Sequence, residues 1–414
     1  MDFVITRQFR GLPREVAVVT AISFCVALGY GIVAPVLPVF AESFGVSAFA
    51  ASAVISLFAF MRFVSATPSG WLVNRFGERW VLGVGLSIVS VSSALAGSSQ
   101  SYEQLLILRA IGGTGSAMFT VAAMSLLLHK VESESRGRAT SLYQSGFLFG
   151  GLAGPAVGSA VVHFSIRAPF FVYSATLLAA VITALSTLDK LPRSEAETGE
   201  SLTDQVEVMS VKQAFQEHPY RAALTVNLIT SLTSFSLRIS LIPLFVIEAL
   251  NRDAKTASIS FLISSVMQAA LLPTSGRFID AKGRKPAMIL GSTVLTTALV
   301  VLAYGESLAA LYVSMLLFGI SAAFLGAAPS AIVGDIVKDR KGGQVIGLFQ
   351  MVGDFGVIIG PLVAGQLKDS SGGYFLPFAT AAAVSLFALV MAIRTRETRI
   401  KPEQTDPNYN SITS

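Results

Sequence analysis

The two halves of this chain carry the same apolar pattern at a constant spacing. Gly70 is followed 206 positions later by Gly276, and Gly154-Pro155 is followed at the same offset by Gly360-Pro361. Further pairs keep that offset: Gly77 with Gly283, Gly137 with Gly343, Gln144 with Gln350 and Gly150 with Gly356. Internal symmetry of this kind predicts a fold built from two related bundles.

Composition predicts that these bundles lie in a membrane. Apolar residues make up 53% of the 414 residues and charged residues 13%, against a soluble norm of about 25% charged. Segments able to cross a hydrocarbon layer of about 30 Å as helices fall at 15–40, 46–73, 79–97, 102–130, 136–163, 167–187, 221–248, 256–279, 286–304, 308–335, 341–367 and 373–394. We therefore predict an all-α polytopic membrane protein with 12 transmembrane helices in two pseudo-symmetric six-helix bundles. The predicted division is a bundle at 1–187, a linker at 188–220, a second bundle at 221–396 and a tail at 397–414.

The positive charges predict the orientation of the chain in the membrane. When alternate connections are assigned to opposite sides, 23 of the 30 Lys and Arg residues fall on one side. The other side holds only Arg167, Arg252, Lys255 and Lys368. By the positive-inside rule, the linker and both termini are cytoplasmic, and we expect an integral protein of the plasma (inner) membrane. The net charge then reports topology, so no nucleic-acid partner is expected.

Two loops and four spans carry short motifs. The loops combine glycines with polar and basic residues: Gly70, Asn74, Arg75, Gly77 and Arg79 in the first half, and Gly276, Asp280, Gly283 and Arg284 in the second. The fifth span carries Gly150, Gly154, Pro155 and Gly158, echoed later by Gly360 and Pro361. The fourth has Arg109 before a run of glycines, and the first ends in a PxLP pattern at 35–38. Together these motifs resemble the major facilitator superfamily, and more narrowly its twelve-span drug:proton antiporter branch, over the whole chain.

The resemblance implies a mode of action. It implies alternating access between two bundles, a small-molecule substrate, a proton gradient as the energy source without cofactor or metal, and the loops as a conformational latch. Asn74 departs from the Asp of the family pattern and carries no charge, so we expect a weaker latch here. A basic loop can equally anchor topology, and glycines four apart can equally serve helix packing alone.

Four ionisable residues fall inside the predicted spans: Arg62, Arg109, Arg238 and Asp354. A charge at the bilayer centre costs about 2.5 to 3.5 kcal/mol on insertion scales, so each is expected to face protein or water and to have a partner. Arg62 and Asp354 both lie about 18 to 20 Å from the cytoplasmic ends of their spans, at about 1.5 Å per helical residue. We predict that they form an ion pair across the interface between the bundles. The pair is either static or broken by protonation of Asp354, which would couple transport to protons.

The other two arginines have separate interpretations. The resemblance implies a role in proton transfer for Arg109, although its depth equally allows its head group to reach the membrane interface. Arg238 has no counterpart in the first half, where the repeat places Ile32. We expect Arg238 to bind an anionic group of the substrate.

The charge balance also predicts the substrate class. Three intramembrane Arg against one Asp disfavour a site for lipophilic cations and favour neutral or anionic amphiphiles. The candidate lining residues are aromatic, flexible or amide side chains: Phe24, Tyr30, Phe119, Tyr143, Phe147, Phe235, Met267, Gln268, Phe318, Phe324 and Gln350.

Missing motifs narrow the function further. The sequence has no phosphate loop and therefore no visible ATP motor, and its scattered His129, His163 and His218 suggest neither a metal site nor a nucleophile. We predict a monomeric exporter of hydrophobic or amphiphilic, drug-like molecules, coupled to protons. The alternative is a lipid or metabolite transporter of the same fold, working as a uniporter or symporter. A membrane-embedded sensor or enzyme is disfavoured, because the halves are symmetric and no catalytic constellation occurs.

Overall fold

The computed structural model describes residues 12–131, 136–188, 209–337 and 343–399. The first half forms α1 (Arg14–Val33), α2 (Leu37–Glu42), α3 (Ala48–Phe76), α4 (Glu78–Gly97), α5 (Tyr102–Lys130), α6 (Arg136–Val161) and α7 (Ala168–Thr187). After the short α8 (Val211–Gln216), the second half forms α9 (His218–Thr230), α10 (Ser236–Glu248), α11 (Ala254–Lys282), α12 (Arg284–Tyr304), α13 (Leu308–Leu325), α14 (Ala328–Val337), α15 (Gly343–Ser371) and α16 (Phe375–Arg394). Most of the predicted linker, 189–208, and the tail from 400 onward lie outside the described residues.

The helices confirm the all-α architecture and the duplication. Helix N-caps recur at the 206-residue offset, since Ser47 and Asp253 each accept a hydrogen bond from the third helical amide of α3 and α11. The glycines that separate α3 from α4 and α11 from α12 also correspond, and both have positive φ, 83° at Gly77 and 113° at Gly283. L-residues with side chains rarely adopt that region, so each loop requires glycine at this position.

Eleven helices in the described part of the chain are long and apolar enough to cross a membrane. The predicted span at 136–163 forms α6 but is not among them. Arg136 and Arg138 at its start, together with its many glycines and serines, lower its hydropathy. The count of twelve spans therefore stays a prediction, whereas the integral membrane character is confirmed.

Some spans are interrupted where the sequence places prolines or glycine. Residues 34–36 form a turn between α1 and α2; the turn contains Pro35, and Pro38 is the second residue of α2. In the second half, Gly326 and Ala327 separate α13 from α14. Proline removes a backbone donor and glycine weakens a helix interior. A π-helical turn, Ser231–Phe235, joins α9 to α10 within one span.

Helix packing within the first lobe depends on a row of glycines. Methyl groups built on Gly146, Gly150 and Gly154 of α6 would each meet the backbone of α1 at less than normal contact distance, and Gly158 lies close to Ile32. In the second lobe Gly356 and Gly360 of α15 lie equally close to the chain between α9 and α10. Small residues at such crossings let helices in a membrane approach closely.

The two lobes meet mainly through α3 with α15, α6 with α11, and α2 with α10. We call the surface at which α1, α6 and α15 begin the basic face, and the surface at which α2, α10 and α15 end the opposite face. The lobes are in contact at the opposite face, where the backbones of α3 and α15 approach at Ala48, Phe49 and Gly365.

Candidate functional site

A cavity of about 850 Å³ lies between the lobes. Its lining comes from the middle of the helices and from their halves nearer the basic face, including Ala66, Thr120, Gln144, Leu325 and Gly347. Since the lobes touch at the opposite face, the cavity is positioned between that closed face and the basic face. This is the arrangement that a solute route with one closed end requires.

An ion pair crosses this cavity from lobe to lobe. The Arg62 guanidinium on α3 donates to the Asp354 carboxylate on α15 at 2.9 Å. The side chains are 43% and 40% exposed, so both groups face the open space. The depth argument thus predicted the pairing correctly, while its part in proton coupling stays a prediction.

Arg238 is a second cation at the cavity, and it has no acidic partner among the described residues. Its Nη1 donates to Ser264 Oγ at 3.2 Å, and its guanidinium lies 5.9 Å from the Phe261 ring centroid. Its Nε has no hydrogen-bond partner in the described part of the chain. Arg238 lies three residues after the end of the π-helical turn, of which Ser231, Ser234 and Phe235 also line the cavity. Such turns occur frequently at functional sites.

Arg109 lies inside the first lobe and does not line the cavity. It is 3% exposed, and its guanidinium lies 4.2 Å from the Phe58 ring centroid. Tyr30 also stacks on the Phe58 ring, with ring centroids 6.3 Å apart. The alternative in which Arg109 reaches the membrane interface is therefore wrong, because the side chain points inward onto an aromatic ring that stabilises its charge.

The predicted lining residues divide into two groups. Phe235, Gln268 and Gln350 line the cavity together with Arg62, Arg238 and Asp354. The cavity lining does not include Phe24, Tyr30, Phe119, Tyr143, Phe147, Met267, Phe318 and Phe324. Phe119, Tyr143 and Phe318 are at most 1% exposed in the lobe cores, and Phe324 packs edge-on against Phe278. Their large apolar rings gain more from core burial than a wet cavity wall offers.

Several polar lining residues escaped the sequence-based prediction. Asn227 donates from Nδ2 to the Phe349 carbonyl at 2.8 Å, which joins α9 to α15 beside the cavity. Gln144 also lines it, as does its counterpart Gln350 at the 206-residue offset. The repeat was therefore a signal that would have found Gln144 once Gln350 had been chosen.

The latch loops make contacts within their own lobes. In the first, Arg79 donates to the Leu185 carbonyl at the end of α7, and the Arg75 guanidinium lies 5.5 Å from the Trp71 ring centroid. Asn74 in the first loop and Asp280 in the second are exposed. Gly70 and Gly276 are partly buried, but a methyl group built on either would have no atom within 4 Å. The described contacts of these loops do not cross to the other lobe, and the latch role stays a prediction.

The acidic and basic positions beside the second loop are the reverse of those beside the first. Glu78 and His129 lie 2.6 Å apart in the first lobe, and Arg284 and Asp335 lie 2.9 Å apart at the equivalent positions of the second. The Glu397 carboxylate accepts from the Arg284 amide at 2.9 Å, at the start of α12. Burial raises the pKa of Glu397, but the backbone amides that it accepts from outweigh burial and bring the pKa below its usual value. These contacts join neighbouring segments of the same lobe at the basic face.

Comparison with known proteins agrees with the two-lobe arrangement. A family model described as Major Facilitator Superfamily matches residues 19–248 and again 223–410. Multidrug resistance protein 1 of Bacillus subtilis is 26% identical over 385 residues, which cover 89% of this chain and 93% of that protein. Quinolone resistance protein NorA of Staphylococcus aureus is 24% identical over 390 residues, which cover 92% and 97%.

A solved structure shares the fold. The bacterial homologue of the human lysosomal transporter Spinster, in an inward-facing and occupied conformation, superposes with a TM-score of 0.74 at 15% identity. The match covers 94% of this chain and 98% of that one. At this identity the likeness concerns the fold alone.

Proposed function

Since the chain belongs to the major facilitator superfamily, whose members are transporters and not enzymes, we propose that it exports neutral or anionic amphiphilic small molecules in exchange for protons. The observation that carries the proposal is the cavity between the lobes, which holds one paired and one unpaired arginine. The names of the relatives, which refer to multidrug and quinolone resistance, support a drug-like substrate class.

The direction of transport follows from the charges at the two faces. The basic face is cytoplasmic if the chain follows the positive-inside rule. The cavity then opens toward the cytoplasm, where an exporter collects its substrate. Closure at the basic face and separation at the opposite face complete the alternating-access cycle.

Arg238 supports the preference for neutral or anionic substrates. A guanidinium that lacks an acidic partner and lines a cavity attracts a carboxylate, sulfonate or phosphate group of a ligand. Among the described lining residues the only acid is Asp354, whose charge is compensated by Arg62. A lipophilic cation would meet an excess of positive charge.

The Arg62–Asp354 pair is the basis for proposing exchange with protons. Protonation of Asp354 would remove one charge of a pair that joins the lobes, and so would favour their separation.

The alternative, a lipid or metabolite uniporter or symporter, differs in how protons move. Substrate-driven proton release from proteoliposomes supports antiport, whereas co-directional or absent proton flux supports the alternative.

Replacing Arg238 with Gln is expected to remove selectivity for anionic substrates. A hydrogen bond to a charged group contributes about 1.5 to 3 kcal/mol, so the affinity for an anionic dye should fall about tenfold or more. The affinity for a neutral dye of the same skeleton should change little. Equilibrium dye binding to the purified protein in nanodiscs measures both.

The matched control for this measurement is Arg252→Gln, which removes an exposed arginine from the opposite face. It should bind both dyes as the unmodified protein does. An Arg238→Gln protein that loses both dyes equally, or neither, would show that Arg238 serves the structure and not substrate selection.

A further inference from the structure

Two glutamates at equivalent positions of the repeat meet at the opposite face. Glu42 ends α2 in the first lobe and Glu248 ends α10 in the second, 206 positions later. The helices that they end, α2 and α10, are in contact, and the two carboxyl groups lie within hydrogen-bonding reach of each other. The two glutamates therefore occupy equivalent positions in the two lobes and lie where the lobes join. Neither lines the cavity.

Glu248 is held in place by its own lobe. Lys368 Nζ lies 2.8 Å from Glu248 Oε2, and the Tyr374 hydroxyl donates to the same oxygen at 2.6 Å. Lys368 Nζ also lies 5.7 Å from the Tyr374 ring centroid. Lys368 and Tyr374 therefore hold the Glu248 carboxylate in place as a hydrogen-bond acceptor, and Glu42 approaches it from the first lobe.

A second bridge lies beside the glutamate pair. Asp369 of the second lobe accepts from the Ala48 amide at 3.1 Å and the Phe49 amide at 2.9 Å, at the start of α3 in the first lobe. A carboxylate at a helix N-terminus satisfies free amides and complements the helix dipole. We call Glu42, Glu248, Lys368, Asp369 and Tyr374 the opposite-face gate, because their contacts join the lobes on the closed side.

The glutamate pair cannot be fully ionised while the gate is closed. Carboxylates only accept hydrogen bonds, so a hydrogen bond between two carboxyl groups requires one proton between them. Burial, followed by the hydrogen bond and the negative charge of Glu248, raises the pKa of Glu42 to about 8. The other charged groups facing Glu42 are Lys368, which opposes this shift, and Asp369, which adds to it.

We propose that Glu42 and Glu248 form a proton-binding site in the opposite-face gate, which takes up one proton when the lobes close there and releases it when they separate. This site lies outside the substrate cavity and does not involve Asp354. It makes the position of the lobes depend on the pH of the medium at that face, whether or not substrate transport is coupled to protons.

The sign of the pH dependence follows from the two states. In the separated state each glutamate is solvated alone, with a pKa of about 4.3; in the closed state the pKa of Glu42 is about 8. The bound proton therefore stabilises the closed gate fully at pH values below the separated-state pKa. This stabilisation is lost as the pH rises through the closed-state pKa. Between about pH 5 and 8, the ratio of separated to closed gates should rise about tenfold per pH unit.

Distance measurements between spin labels on the two lobes test this inference. The labels are attached at Phe164→Cys and Tyr304→Cys, which replace side chains that are 84% and 77% exposed at the opposite face. The full chain also carries Cys25→Ser, which removes the native thiol. The distance between the labels then reports on gate separation. In substrate-free nanodiscs from pH 5 to 9, the separated population should grow with pH. The chain with Glu42→Gln should stay closed throughout, because the Gln amide donates to Glu248 as the protonated acid does.

Two further variants make the outcome decisive. Glu248→Gln should also abolish the pH dependence, so either variant suffices if the other fails to fold. Glu103→Gln removes an exposed acid of the same face and should leave the dependence unchanged. The proposal is overturned if the label distances still depend on pH in the Glu42→Gln chain. It is also overturned if they do not change with pH in the chain with both glutamates. Since no substrate is present, neither result bears on the proposed export function.

Discussion

Asp354→Asn is expected to reduce export driven by a pH gradient to the rate seen without a gradient, while substrate binding is retained. Asparagine has the shape of the protonated acid but cannot release a proton, so the pair with Arg62 cannot form and break during the cycle. Transport into inverted proteoliposomes with an imposed pH gradient measures the loss. Asp354→Glu, which keeps a titratable carboxyl group, should retain part of the gradient-driven rate.

The folded state should survive this substitution. Both members of the pair are about two-fifths exposed, and ion pairs open to water contribute about 0.2 to 1 kcal/mol. A loss of transport in Asp354→Asn would therefore report on mechanism and not on unfolding, which a thermal unfolding curve verifies.

A double variant separates the coupling role from a static one. If the pair only hides two charges, replacing both partners, as Arg62→Gln with Asp354→Asn, should restore gradient-driven export, because no unpaired charge is left in the cavity. If Asp354 carries the proton, the double variant should remain uncoupled. Restored export in the double variant would remove Asp354 from the coupling mechanism.

The sequence predicted those features that depend on position along a helix. The 206-residue repeat gave the two lobes, and counting residues from the span ends gave the Arg62–Asp354 pair, because depth in a membrane is fixed by the helical rise. The exchange of acidic and basic residues between Glu78–His129 and Arg284–Asp335 was readable from the same offset. The equivalence of Glu42 and Glu248 was equally present in the repeat, although only the structure shows that they meet.

The cavity lining was predictable only in part. A helix in this protein has faces toward lipid, the lobe core and the cavity, and aromatic residues occur on all three. Phe119 and Phe318 therefore resembled lining residues in the sequence, although both lie in lobe cores. The π-helical turn before Arg238 was not foreseen either, since it depends on packing between α15 and the chain at Ser231 and Ser236.

Replacing both Gly150 and Gly154 with Ala is expected to prevent normal packing of α1 against α6 and to cause a large loss of stability. A methyl group on Gly154 would lie 2.6 Å from Gly31 Cα and 2.7 Å from the Leu28 carbonyl oxygen. These are backbone atoms, which cannot rotate away as a side chain can. Overpacking costs about 1 to 3 kcal/mol per site, so two sites on one crossing should force the helices apart.

The matched control adds the same two methyl groups where there is space. Gly151 lies on α6 between the critical pair, and Gly334 lies on α14; neither has atoms within 4 Å of a built Cβ. Gly151→Ala with Gly334→Ala should leave the thermal midpoint unchanged or slightly raised, because Ala favours helix formation over Gly. Fluorescence-detected size-exclusion chromatography after heating compares the two proteins directly. Equal midpoints would mean that α1 and α6 separate without penalty, and the glycine row would then need another explanation than close packing.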